Sequence, residues 1–148
     1  MAEYQQGFFR PQYPEKYQGD PTKIVYRSSW ERKAFKWCDL NSNILQWASE
    51  EFSIRYFNPA TGKHHNYYPD LIMTMKEMSG EIKKYVIEIK PYRQTNPPVE
   101  SPRKKKKTFI NESIIYQKNM AKWKAAEAWC KDRGLIFMLV TERELGIK

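Results

Sequence analysis

Cysteine is scarce in this chain: Cys38 and Cys130 are its only two. Each follows a tryptophan, Trp37 or Trp129, in a helix-like stretch. No CxxC string and no Cys/His cluster with zinc spacing occurs, which excludes a structural zinc module and a disulfide framework. The two thiols read as small buried apolar groups in a reducing compartment. Long apolar runs are also missing. None approaches the roughly 20 residues of a membrane span, and the N-terminus has no basic-then-apolar secretory pattern. The expectation is a soluble, intracellular protein with no membrane partner. No internal repeat is visible, so a solenoid or propeller is not indicated.

Acidic residues are outnumbered, 17 against 26 Lys and Arg, which leaves a net charge of +9. Such a balance suits a polyanionic partner, nucleic acid first, although ribosomal, chromatin and membrane-surface proteins share it. Five cations stand in one run, Arg103, Lys104, Lys105, Lys106 and Lys107, so the remainder is only mildly basic. With 148 residues the chain fits one compact domain that can bury a core.

Residues 1–25 hold Pro11, Pro14 and Pro21 among Tyr4, Phe8, Phe9, Tyr13 and Tyr17 without periodicity. They read as an extended N-terminal arm whose aromatics need a surface, the domain's own or a partner's. A helix is expected over 28–40, where Trp30, Ala34, Trp37 and Cys38 form an apolar stripe. Short strands follow at 44–47 and 54–57, then a turn at 58–63. The run 67–75 reads as a strand carrying Asp70, and a second strand carries Glu88. Residues 91–110, with Pro97, Pro98, Pro102 and the basic run, read as a mobile loop. A helix over 111–133 stops at Gly134, a suitable C′ residue. The apolar run 135–141 is typical of a strand covered on both faces. The order predicts an α/β fold: residues 26–148 as one domain, a mixed β-sheet with helices packed against it.

Two strings carry the chemistry: Tyr68-Pro69-Asp70 and Glu88-Ile89-Lys90. In a strand Glu88 and Lys90 share a face. If the Asp70 strand pairs with theirs, two carboxylates and an ammonium converge. Phosphodiester hydrolysis needs an activated water, charge relief on the phosphate and help for the leaving oxygen. Mg²⁺ held by carboxylates supplies these, with Mn²⁺ as a substitute. Asp70 and Glu88 are the candidate ligands, the Ile89 carbonyl a third donor, and Lys90 the group that orients water or stabilises developing charge. The plain alternative is an Asp at a strand start and a charge pair on a solvated face.

Glu31 follows Ser28 by three residues, so the residues alone favour a capping-box glutamate over a third carboxylate of the site. Gln117 and Lys118 are candidates for holding phosphate or water, with solvated helix surface as the plainer reading. The basic run 103–107 reads as a solvated loop or as a sequence-blind phosphate grip. His64 and His65 are adjacent, hence poor joint metal ligands, and read as loop histidines.

Asp70 with Glu88-Ile89-Lys90 resembles the PD-(D/E)xK nuclease superfamily, whose fold is restriction-endonuclease-like. The upstream string Ile24-Val25-Tyr26-Arg27-Ser28-Ser29-Trp30-Glu31 is more distinctive. Together they resemble the head completion nucleases of T-even and related tailed bacteriophages, from about residue 14 to the end. The resemblance implies a metal-dependent, sequence-nonspecific nuclease acting on double-stranded DNA in newly packaged heads. It implies portal, neck or head proteins as partners, and a place in the host cytoplasm or the virion. It also places a glutamate like Glu31 in the active site, which reverses the capping preference. Two other functions compete: a structural head protein that plugs DNA without cutting, and a transposase or junction-resolvase endonuclease.

Overall fold

The computed structural model describes residues 6–147; Tyr4, counted with the arm, lies outside them. The elements run β1 (Gly7–Phe9), β2 (Ile24–Tyr26), α1 (Ser29–Leu40), β3 (Ile44–Ala48), β4 (Ile54–Asn58), β5 (Lys63–Tyr67), β6 (Leu71–Lys76), β7 (Ile82–Ile89), α2 (Lys106–Asp132), β8 (Ile136–Val140) and α3 (Glu142–Leu145). One four-stranded sheet has the order β3-β6-β7-β8. Its first two pairings are antiparallel and β7–β8 is parallel, which makes it mixed. The β4–β5 hairpin and the β1–β2 pair stand apart from it.

Strand alternation divides the interior. One core gathers Phe35 and Cys38 of α1 with Trp47, Leu71, Met73 and Ile87 of the sheet. The other joins Ala126 of α2 to Ile54, Tyr56 and Tyr67 of the hairpin, with Phe137 of β8 against it. Val86 and Glu88 leave β7 on the face opposite Ile87, and both are buried. That face is the one α2 and the hairpin cover.

The described part of the N-terminal segment packs into the domain's own core. Phe9 packs edge-on against Phe35 and Trp47, with both centroids 5.9 Å away. Tyr17 is buried, 4.8 Å from Trp47. The Lys16 ammonium donates to the carbonyls of Cys38, Asp39 and Asn41 at 2.7–2.9 Å. These are among the carbonyls a helix leaves unpaired at its C-terminus, so a side chain 22 or more residues upstream of them caps α1. The Asp39 carboxylate accepts from the amides of Gln12 and Tyr13 at 2.7 and 2.9 Å, fixing the same segment. Lys16→Met keeps the stem and removes the cap. It is expected to lower stability by about 1–3 kcal/mol in urea unfolding, the range for a hydrogen-bonded charge.

Several expectations need correction. The run 67–75 is two strands, not one: β5 ends at Tyr67 in the hairpin, and β6 starts at Leu71 in the main sheet. Buried Pro69 has no N–H with which to continue a ladder. His64 and His65 lie in β5, not in a loop. The helix takes in Lys106–Ile110, since lysine is a good helix former that shows no apolar period. It ends as expected: Gly134 has φ 69°, and the Leu135 amide bonds the Cys130 carbonyl at 2.8 Å, a Schellman closure. Strand β8 is a sheet edge, not a strand covered on both faces, and Ile136 and Met138 are 38% and 40% exposed.

Candidate active site

The site begins with the β6–β7 register. Leu71 pairs with Ile87, so Asp70, one residue before β6, stands opposite Glu88. One Asp70 oxygen accepts the Ile89 amide at 2.7 Å. A strand residue's N–H and carbonyl point to the same edge, so the Ile89 carbonyl also looks toward the Asp70 side. Glu88 is buried, and Lys90, two residues on, brings its ammonium 4.0 Å from a Glu88 oxygen. Asp70, Glu88, Ile89 and Lys90 thus meet at one end of the sheet.

The electrostatics of this corner are strained. Burial holds the Asp70 carboxyl well above its usual range, Glu88 pushes the same way, and the Ile89 amide opposes both. The Tyr67 hydroxyl is buried beside Glu88 outside hydrogen-bonding geometry; burial and then the two carboxylates push its phenol upward. Glu31 is raised as well, first by burial, while the Arg27 amide 3.3 Å from its carboxylate works against this. The charges of Glu50 and then of Glu88 push it the same way as burial. The α1 cap is half a capping box: Ser28 accepts the Glu31 amide at 3.1 Å, and the Glu31 carboxylate turns to Arg27.

The donors present are all oxygens, which suits a hard cation. Among the described residues no three His, Cys, Asp or Glu side chains form a cation cage. Two carboxylates opposed in a buried corner, one held toward protonation first by burial and then by the other, are the charge pattern a divalent cation relieves.

The remaining candidates lie elsewhere. Gln117 is exposed on α2, and Lys118 is half-buried. The basic run straddles the start of α2, and Lys104 is committed to Glu112 and to the Val99 carbonyl, both at 2.8 Å. Lys106 is about 24 Å along the helix from the turn that passes the carboxylates. His65 bonds Thr61 at 2.8 Å and His64 meets Phe57, within the hairpin.

The TnsA-like endonuclease N-terminal family matches residues 41–142, a span that includes Asp70, Glu88 and Lys90. The chain belongs to that family. It is also 43% identical, over 96% of its own length and 96% of the other, to the head completion nuclease of Enterobacteria phage T4. No solved structure matches it. A TnsA-like endonuclease domain is restriction-endonuclease-like, so the mixed sheet flanked by helices is that fold. Endonucleases of this family use divalent metal ions.

Two features of this endonuclease domain escape the sequence patterns. Lys122, half-buried on α2, feels the charges of Glu88 and Asp70. Its one sequence signal is Lys118 a helical turn earlier, a like-charge spacing that isolated helices disfavour. Arg27 pairs with Glu50, whose φ of 53° is unusual for a residue other than glycine. Both line a cleft of about 450 Å³ with Lys23, Tyr17 and exposed Tyr68. Strain of this kind concentrates at functional sites.

The Asp70 shift has a sign that can be checked. Between the unfolded carboxyl pKa, about 3.9, and its higher folded value, the folded state binds more protons than the unfolded one, so stability falls as pH rises. Above the folded value the penalty is constant. Asp70→Asn keeps an acceptor for the Ile89 amide and carries no charge. At pH 7 it is expected to be more stable than the parent, because burial and the Glu88 charge both oppose the ionised Asp70 carboxyl. Thermal unfolding at pH 7 and below pH 4 checks this, since the gain should shrink in acid.

Proposed function

We propose that this protein is a Mg²⁺-dependent deoxyribonuclease that hydrolyses phosphodiester bonds of double-stranded DNA without sequence preference, with Mn²⁺ able to substitute. The observation that carries the reading is the opposed pair Asp70 and Glu88, with Asp70 tied to the Ile89 amide at 2.7 Å and Lys90 4.0 Å from Glu88. Asp70, Glu88 and the Ile89 carbonyl hold the cation, and Glu31 adds a further negative charge from α1. When bound, the cation supplies Lewis-acid charge relief on the phosphate and a more acidic water. Lys90 orients the attacking water and steadies the negative charge that develops on the phosphate oxygens. The burial of Glu88 keeps the Lys90 ammonium aimed at the site instead of at solvent. Lys118 and the basic run 103–107 add backbone contacts, which position DNA but carry no base information.

The relative's name suggests the setting: action on packaged DNA during bacteriophage head completion, in the infected host cell, with portal, neck or head proteins as partners. Incubation with linear and nicked circular DNA, in Mg²⁺ or in chelator, tests the activity. Cutting in Mg²⁺ and none in chelator is expected, and equal cutting in both would overturn the metal. Mg²⁺ should also raise the melting temperature of the parent and leave that of Asp70→Asn nearly unmoved, because binding to the folded state alone stabilises it.

A further inference from the structure

The proposed chemistry leaves Lys122 without a task. Its ammonium lies 5.4 Å from the ring centroid of Tyr67 and 5.8 Å from that of Tyr56. Both rings are buried in the core between α2 and the hairpin. Among the described residues no carboxylate forms an ion pair with it, whereas Lys90 is engaged with Glu88 and Lys104 with Glu112. A half-buried cation without an anion is costly, and ring faces offset only part of that cost. Burial and then Lys118 disfavour its charge most; Glu88 and Asp70 favour it, and Lys90 opposes it. Tyr67 fixes the distance scale, since its ring seats the ammonium and its hydroxyl stands beside Glu88. A DNA strand reaching that carboxylate pair must bring phosphates past this ammonium.

We propose that Lys122 is a substrate-binding residue whose ammonium contacts a backbone phosphate of DNA beside the Asp70–Glu88 pair. The inference rests on the nuclease reading for its substrate and on the tyrosine seat for its geometry. The tyrosine faces hold the charge at a fixed height on α2, and the phosphate supplies the ion-pair partner that no carboxylate among the described residues provides. Such a contact is blind to sequence and sensitive to salt.

DNA affinity measured in chelator over a range of salt tests it without any cutting. Lys122→Met keeps the stem against both rings and removes the charge. It is expected to bind about tenfold more weakly, equally for different sequences, with the slope of log affinity on log salt smaller by about 1. Lys122→Arg should keep the parent slope. A folded Lys122→Met with an unchanged slope overturns the contact; should that variant not fold, Lys122→Gln against Lys122→Arg makes the same comparison. Cutting by the parent in Mg²⁺, run alongside, separates the two readings. A parent that does not cut while Lys122→Met loses slope removes the nuclease reading and leaves the contact standing. A parent that cuts while the slope is unchanged does the reverse.

Discussion

Glu88→Gln is expected to abolish DNA cutting, with a loss of at least about 10²–10³-fold, the range for removing one group that stabilises charge in a transition state. The substitution is close to isosteric, so the packing of β7 between the two cores stays. What changes is charge. The carboxylate that opposes Asp70 and pairs with Lys90 at 4.0 Å becomes a neutral amide. Asp70 then loses the like charge that adds to burial in raising it, and the proposed cation site loses one of its two acidic donors. Lys90→Met should fail by a similar factor for a different reason. It leaves both acids in place, so Mg²⁺ still raises its melting temperature while cutting is lost. Initial rates on linear DNA, with melting curves in and out of Mg²⁺, distinguish the two. A Glu88→Gln protein that cuts within tenfold of the parent would sink the assignment.

The contrast between these residues and Lys122 shows what a linear pattern can carry. Glu88 and Lys90 are two apart in an apolar strand, and the period of a strand alone puts them on one face. Asp70 needed one further assumption, that β6 pairs with β7, and antiparallel neighbours close in sequence meet it often. The boundary of its strand is not legible in the string, because Tyr67 and Tyr68 look like strand residues, whereas buried Pro69 separates two sheets. Lys122 sits among Ala121, Trp123 and Ala125 in a helix that is apolar over most of its circumference. Its aromatic seat comes from β4 and β5, more than fifty residues away, and no local period encodes such a contact. Strand β8 fails for another reason. An apolar run is the same string whether its strand is central or at an edge, and only the sheet order β3-β6-β7-β8 decides.

Tyr17→Ala is expected to destabilise the protein by about 3–5 kcal/mol, the range for deleting a large buried aromatic. The prediction opposes two views of residues 1–25: an arm separable from the domain, and a structural part of it. Tyr17 is buried against Trp47, and its hydroxyl donates to Glu51 at 2.8 Å and accepts from the Ser49 amide at 3.3 Å. Its removal leaves a cavity in the core that α1 shares with β3 and strips a partner from a buried amide. Glu50, in its left-handed conformation, sits between Ser49 and Glu51, so the same loss loosens the loop that holds Arg27. Phe8→Ala is the control, because Phe8 is 67% exposed and should stay within about 0.5 kcal/mol of the parent. Urea unfolding of both variants measures the difference. An arm that merely lies on the surface would make the two losses alike and small. A segment built into the core makes Tyr17→Ala the severe one.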